Sequence, residues 1–202
     1  MITQFKGYDE AKKEAQKGPG MKLPKGAYIC DILGVKQGTF VSNGVNKSYL
    51  IVQFDIAEGE YAQFFKKQYE ANTNEDKKYK GNTKVYIPVD DGSQQDQWTK
   101  NTFAKWTNSL EDSNDGYKWD WDETKWTGKK IGLVFGETGT NIDGKDIVYT
   151  ECRYPVSVEA VKTGKAGEAK FKAKAGYGQS TAGSGATDFV NVPDGIDEEL
   201  PF

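Results

Sequence analysis

The chain has 202 residues, 27 Lys and Arg against 30 Asp and Glu, and a formal net charge of −3, with 36% hydrophobic and 13% aromatic residues. That length suits one domain of ordinary size with extensions. With no histidine and only two cysteines, Cys30 and Cys152, the composition argues against zinc sites, thiol or imidazole catalysis and so most hydrolases; the expectation is a binding protein, not an enzyme, with no cofactor.

The charge is segregated. Residues 188–202 contain Asp188, Asp194, Asp197, Glu198 and Glu199 and no base, which leaves 27 basic and 25 acidic residues, or +2, for the rest. A mildly basic body with an acidic end suits a polyanion-binding domain beside an interaction tail. No apolar run approaches the ~18 residues of a membrane span, and the N-terminus lacks a signal peptide's apolar stretch. The expectation is a cytoplasmic protein with no membrane partner.

In chain order, residues 8–17 favour a short helix stopped at Gly18-Pro19-Gly20, an N-terminal flap over 1–20. Residues 26–35 predict a first strand, followed by a loop through Gly38 and Asn43-Gly44. A second strand, SYLIVQFDI, puts Leu50, Val52, Phe54 and Ile56 on one face. Residues 59–82 form a helical insertion that interleaves Phe64, Phe65, Tyr69 and Tyr79 with Lys66, Lys67, Lys77, Lys78 and Lys80. The phenyl rings are expected to pack and the lysines to clamp a polyanion. TKVYIPV is a third, edge-like strand. A helix over roughly 94–112 aligns Trp98, Thr102, Trp106 and Leu110, with Phe103 alongside. The Trp119, Trp121 and Trp126 loop carries more acid than base, which favours packing or a protein interface. Two strands follow, GKKIGLVFGE and DIVYTECRYPVSVEAV, joined by a turn at Asp143-Gly144. Val148, Cys152, Tyr154, Val156 and Val158 are expected on one face of the second. Lys129-Lys130 lacks P-loop spacing, and residues 141–146 lack a calcium loop's bidentate glutamate, so no metal site is read.

This order predicts a mainly β fold, a five-stranded OB-type barrel with a helix between strands three and four. It occupies 21–163, a Gly/Ala/Lys-rich flexible linker spans 164–187, and the acidic tail covers 188–202. The chain ends Asp197-Glu198-Glu199-Leu200-Pro201-Phe202. This terminus resembles the tip of bacterial and phage single-stranded DNA-binding proteins, and the long insertion and Trp-bearing helix make the phage or mobile-element type the nearer resemblance. It implies sequence-independent binding of single-stranded DNA in replication, recombination or repair. It also implies that residues 197–202 recruit replication and recombination proteins and compete with DNA for a basic groove.

Such binding needs rings for bases and cations for phosphates. Aromatics beside basic residues on strand faces away from the core select Tyr49, Tyr86, Tyr149 and Arg153, with Lys36, Lys47 and Lys84 on phosphate. Homo-oligomerisation is compatible with the sequence. The rival readings are a carbohydrate-binding β-module using Trp119, Trp121 and Trp126, and a metal-dependent nuclease using Asp120, Asp122 and Glu123.

Overall fold

Alternating apolar residues build a mainly β molecule, seen in a computed structural model that describes residues 7–8, 22–42 and 44–178. The expected N-terminal helix lies outside these residues apart from Tyr8, as does the acidic tail. The strands are β1 (Gly26–Ser42), β2 (Val45–Ile56), β3 (Asn82–Ile87), β4 (Lys130–Ile142), β5 (Lys145–Val156) and β6 (Lys172–Ala173), with helices α1 (Phe64–Ala71), α2 (Gln94–Ser113) and α3 (Val158–Lys162). Sheet order is β3-β2-β1-β4-β5 with antiparallel neighbours. β6 adds to β4 in parallel, so the sheet is mixed.

The sheet is open: among the described residues no pairing joins β3 to β5, where a closed barrel was expected. β3 is only six residues long, and α2 packs against β3, β4 and β5. The helix covers the gap that a further strand pairing would close. No helix among the described residues is long and apolar enough to cross a membrane.

β1 runs well past the expected end at Val35. A bulge at Leu33 shifts the pairing between Ile32 and Gly34, which restarts the alternation and sends residues 36, 38 and 40 to the face away from the core. Gly38 is therefore a strand residue opposite Tyr49, and the chain turns only between Ser42 and Val45. The β4–β5 turn is at Asp143 and Gly144, with φ of 51° and 79°. Both are left-handed, as a two-residue type I′ hairpin requires.

A second bulge changes the expected face of β5. Cys152 opposes Phe135, but Tyr154 opposes Val134, its chain neighbour. Adjacent strand residues face opposite ways, so Cys152 joins the core side and Tyr154 does not. Val158 has already entered α3.

The core gathers Ile32, Leu50, Val52, Phe54, Val85, Ile131, Leu133 and Phe135 from the sheet, all at most 2% exposed. Phe64 and Phe65 of α1 join it, as expected of those rings. Gln63 offers α1 no side-chain cap. Instead the buried Asp55 carboxylate of β2 accepts the backbone N–H of Phe65 at 3.0 Å and of Lys66 at 2.9 Å, as well as its neighbour Ile56 at 2.8 Å. Burial, reinforced by this carboxylate, pushes the Tyr79 phenol well above its usual pKa, and Tyr79 Oη donates to Phe54 O at 3.1 Å. Asp55 thus fastens the insertion to the sheet.

α2 starts at Ser93, whose hydroxyl accepts the Asp96 N–H at 3.0 Å. It buries Phe103, Trp106, Thr107 and Leu110, while Trp98 is 53% exposed. The expected stripe fails at Trp98 and at Thr102, which is also exposed, because four residues advance a helix by about 400°, or ~40° past a full turn. Three such steps separate Trp98 from Leu110, so it has rotated off the buried face. Asn114 ties the helix end to β4: its amide donates to Lys130 O at 2.8 Å and accepts Lys130 N–H at 3.0 Å.

Residues 164–178, linker by composition, are packed on the sheet. Ala166 is buried, and Lys174 N–H donates to Gly139 O at 2.8 Å. The rest of the expected linker lies outside the described residues.

Candidate nucleic-acid interface

Register on the sheet face away from the core decides which sequence candidates meet. Gly38, Tyr49 and Tyr86 form one row across β1, β2 and β3, and Lys36, Ile51 and Lys84 form the next. Phe40 stands opposite Lys47. Three rings therefore converge: Phe40 to Tyr49 at 5.8 Å, Phe40 to Tyr86 at 5.7 Å and Tyr49 to Tyr86 at 6.3 Å between centroids. Tyr86 is 44% exposed, and Phe40 and Tyr49 are half-buried.

Gly38 makes this arrangement possible. A Cβ there would lie 2.6 Å from Tyr49 Cζ and 2.8 Å from both Cε2 and Oη, closer than any side chain tolerates. The bare backbone lets the phenol ring lie down across β1. Lys84 Nζ then sits 4.8 Å from the Tyr49 centroid, a cation–π contact that holds ring and charge together.

Electrostatically the face has one sign. From the Gly34–Gln53 row to the Phe40–Lys47 row it carries Lys36, Lys47 and Lys84 and no carboxylate. Lys47 Nζ donates to Ser42 Oγ at 3.5 Å, which places it toward the β1–β2 hairpin tip. Asp91 lies at the rim, its carboxyl held below the usual range by hydrogen bonds from Ser93, with Lys47 contributing.

The remaining candidates are elsewhere. Lys66 and Lys67 are exposed on α1, and Lys67 Nζ donates to Ala62 O at 2.8 Å. Lys77 Nζ is 4.6 Å from the Tyr69 centroid, and Lys78 and Lys80 are exposed on the same insertion. The same insertion carries Glu60, Glu70, Glu75 and Asp76, all exposed. Tyr149 and Arg153 belong to β5, away from the Tyr49–Tyr86 row in sheet order.

Arg153 is committed internally. Its Nη1 pairs with Glu151 Oε1 at 2.9 Å, and its Nη2 donates to Glu137 O at 2.9 Å and to Thr138 Oγ1 at 2.6 Å. The side chain is 15% exposed. The β5 bulge takes Arg153 out of the alternation and over the β4 backbone, so it braces the hairpin where the sequence suggests a DNA contact.

Phe40 is the ring that sequence reasoning passed over. Its signal was the alternation Lys36, Gly38, Phe40, hidden by reading Gly38 as a turn. Residues 197–202, the expected docking tip, lie outside the described residues.

The tryptophans do not share an exposed face. Trp126 is fully buried and stacks on Trp106 at 6.1 Å with 7° between planes, and Trp119 is half-buried against Phe103 and Trp126. Of the three in this loop only Trp121 is open, 82% exposed at φ 69°. The neighbouring Asp120 is ion-paired with Lys125, and Asp122 caps the turn at Glu123–Trp126 by accepting Thr124 N–H at 3.1 Å. Burial pushes the Cys30 and Cys152 thiols up, away from the nucleophilic thiolate. Among the described residues no group of three or more Cys, Asp or Glu is placed to hold a metal ion.

No protein-family model matches the chain, and no curated protein sequence matches it.

Proposed function

We propose that the protein binds single-stranded DNA without sequence preference. In this reading it is of OB type, acts in replication, recombination or repair, and recruits partner proteins through Asp197–Phe202. The observation that carries the reading is the sheet face where Phe40, Tyr49 and Tyr86 cluster among Lys36, Lys47 and Lys84 with no carboxylate between them. Rings offer π-faces to any base and lysines meet phosphates, so affinity needs no base-edge readout.

Topology supports the OB assignment. The order β3-β2-β1-β4-β5 with α2 between β3 and β4 is that of a barrel cut open between β3 and β5. OB folds are commonly only partly closed, and they bind oligonucleotides on the face of strands two and three. Tyr49 and Tyr86 are on those strands.

The test is fluorescence anisotropy of labelled oligo-dT and a matched duplex across salt. Single-strand binding should exceed duplex binding. Three lysines on phosphate give a log–log salt slope of about −2 from this face, at ~0.7 per phosphate. A chain ending at Gly185 should bind more tightly than the full chain if the acidic tip competes. Absence of single-strand binding by both chains would overturn the reading.

A further inference from the structure

The strap formed by residues 164–178 has a prepared seat. Thr138 and Gly139 of β4 pair in parallel with Lys172 and Ala173. Two glycines leave room for what lies above them. A Cβ at Gly136 would come within 2.7 Å of Ala169 Cβ, and one at Gly139 within 2.6 Å of the Tyr177 ring and 2.8 Å of Phe171 Cζ. The strap's far end is fastened where Gly178 N–H donates to Asp146 Oδ2 at 3.1 Å, beside the β4–β5 turn. A mere spacer would need neither the glycine seat nor this anchor.

The strap has the composition of a polyanion contact. Its sequence GKAGEAKFKAKAGYG carries four lysines against one glutamate, in a chain whose net charge is −3. Lys170, Lys172 and Lys174 fall on alternate residues, about 6.6 Å apart in extended chain, and all three are exposed. Phe171 is 50% exposed, braced by Tyr177 at 5.5 Å between centroids. Lys174 Nζ stands 6.0 Å from the Tyr149 centroid. An open groove between strap and β5 is lined by Arg153, Tyr154, Glu168, Lys170, Phe171 and Lys172. Tyr149, stranded from the Tyr49–Tyr86 row, thus acquires neighbours of its own kind.

We propose that the strap is a second contact for single-stranded DNA, with Phe171 as a stacking platform and Lys170 and Lys172 on phosphates. The proposal rests on the single-strand reading of the β1–β2–β3 face and adds a second point of attachment to it. Because the strap is held on β4 before DNA arrives, its ordering entropy is not charged against binding.

The experiment compares the full chain with K170E/K172E, K170R/K172R and Gly139→Val on long oligo-dT across salt. The glutamate pair leaves Ala169, Phe171 and Tyr177 in their seats. It should weaken binding on the order of tenfold near 0.1 M salt and lower the salt slope by about 1.4. The arginine pair should retain both. Gly139→Val should evict the strap, seen as faster hydrogen exchange at the Lys174 amide, with a similar loss of affinity. Unchanged affinity and slope in K170E/K172E overturn the proposal while leaving the sheet-face reading intact, whatever Gly139→Val does. Failure of the unmodified chain to bind oligo-dT overturns the sheet-face reading beneath it.

Discussion

Replacing Gly38 by alanine adds one methyl group to the molecule, and the structure says which side chain must answer for it. The new Cβ would stand 2.6 Å from Tyr49 Cζ, so the ring has to rise from β1. Gly38 does not have a positive φ, so its backbone accepts alanine without strain. Glycine inside a strand is itself unfavourable, by ~0.5–1 kcal/mol relative to alanine, so displacement of a surface ring is roughly offset and the melting temperature should hardly move. DNA affinity should move. A base stack on an aromatic ring contributes about 1–3 kcal/mol, so loss of the Tyr49 platform should raise Kd for oligo-dT by roughly 5- to 150-fold. Tyr49→Ala should give a similar loss by removing the ring outright. The double variant Gly38→Ala/Tyr49→Ala should then bind like Tyr49→Ala alone, because a displaced ring cannot be lost twice. Anisotropy titrations on the four proteins, with thermal melts alongside, supply the cycle. Additive losses, or a Gly38→Ala protein that binds normally, would refute the idea that Gly38 exists to seat this ring.

Asp55→Ala should destabilise the fold by on the order of 3 kcal/mol in urea denaturation, because three backbone N–H groups lose a charged acceptor in a buried place. Asp55→Asn, which keeps one acceptor oxygen, should recover part of the loss. Trp126→Ala should remove about 3–5 kcal/mol from the core, whereas Trp121→Gly, at an 82% exposed left-handed position, should leave stability equal or higher. Burial raises the Asp96 pKa, but hydrogen bonds from Lys100 and from the Val89 and Asp90 N–H groups outweigh it and leave the carboxyl below its usual value. Its contribution is therefore full above the unfolded-state carboxyl pKa of ~3.9 and fades as pH falls through the lower folded value. Asp96→Asn should flatten that acid limb in melts taken between about pH 5 and pH 2, and an unchanged limb would refute the assignment.

Element type was legible wherever apolar period was strong. Leu50, Val52, Phe54 and Ile56 declared β2 and its buried face, and Asp143-Gly144 declared its hairpin. The misreadings share a cause: a local signal was overruled by a contact far along the chain. Gly38 resembles a turn residue until Tyr49 is laid against it. Arg153 resembles an exposed DNA contact until the β5 bulge brings Glu151, Glu137 and Thr138 around it. Residues 164–178 lack the apolar content to form a core of their own, so composition calls them linker. They are ordered by the glycine gaps of β4, which no window of sequence reveals. Likewise, Tyr49 and Tyr86 could be chosen individually as surface rings, but their adjacency and the part of Phe40 depend on the register of three strands.

Charge placement matters more here than total charge. A body of only +2 gives a polyanion little long-range attraction, and screening beyond ~10 Å at 0.1 M salt weakens it further. What remains effective is the local field. Lys36, Lys47 and Lys84 act on one face without a carboxylate among them, while several acids elsewhere are held by partners of their own: Asp90 and Asp96 by Lys100, Glu111 by Lys118, Asp120 by Lys125, and Glu151 by Arg153. Pairing removes those carboxylates from competition with phosphate without removing them from the sequence count. A nearly neutral body can therefore present a cationic face, and under the proposed function the face's rings would supply the affinity that so few lysines cannot. Under the proposed single-strand reading, that division of labour would favour flexible, unstacked strands whose bases can reach the rings over duplex, whose bases are already stacked on one another.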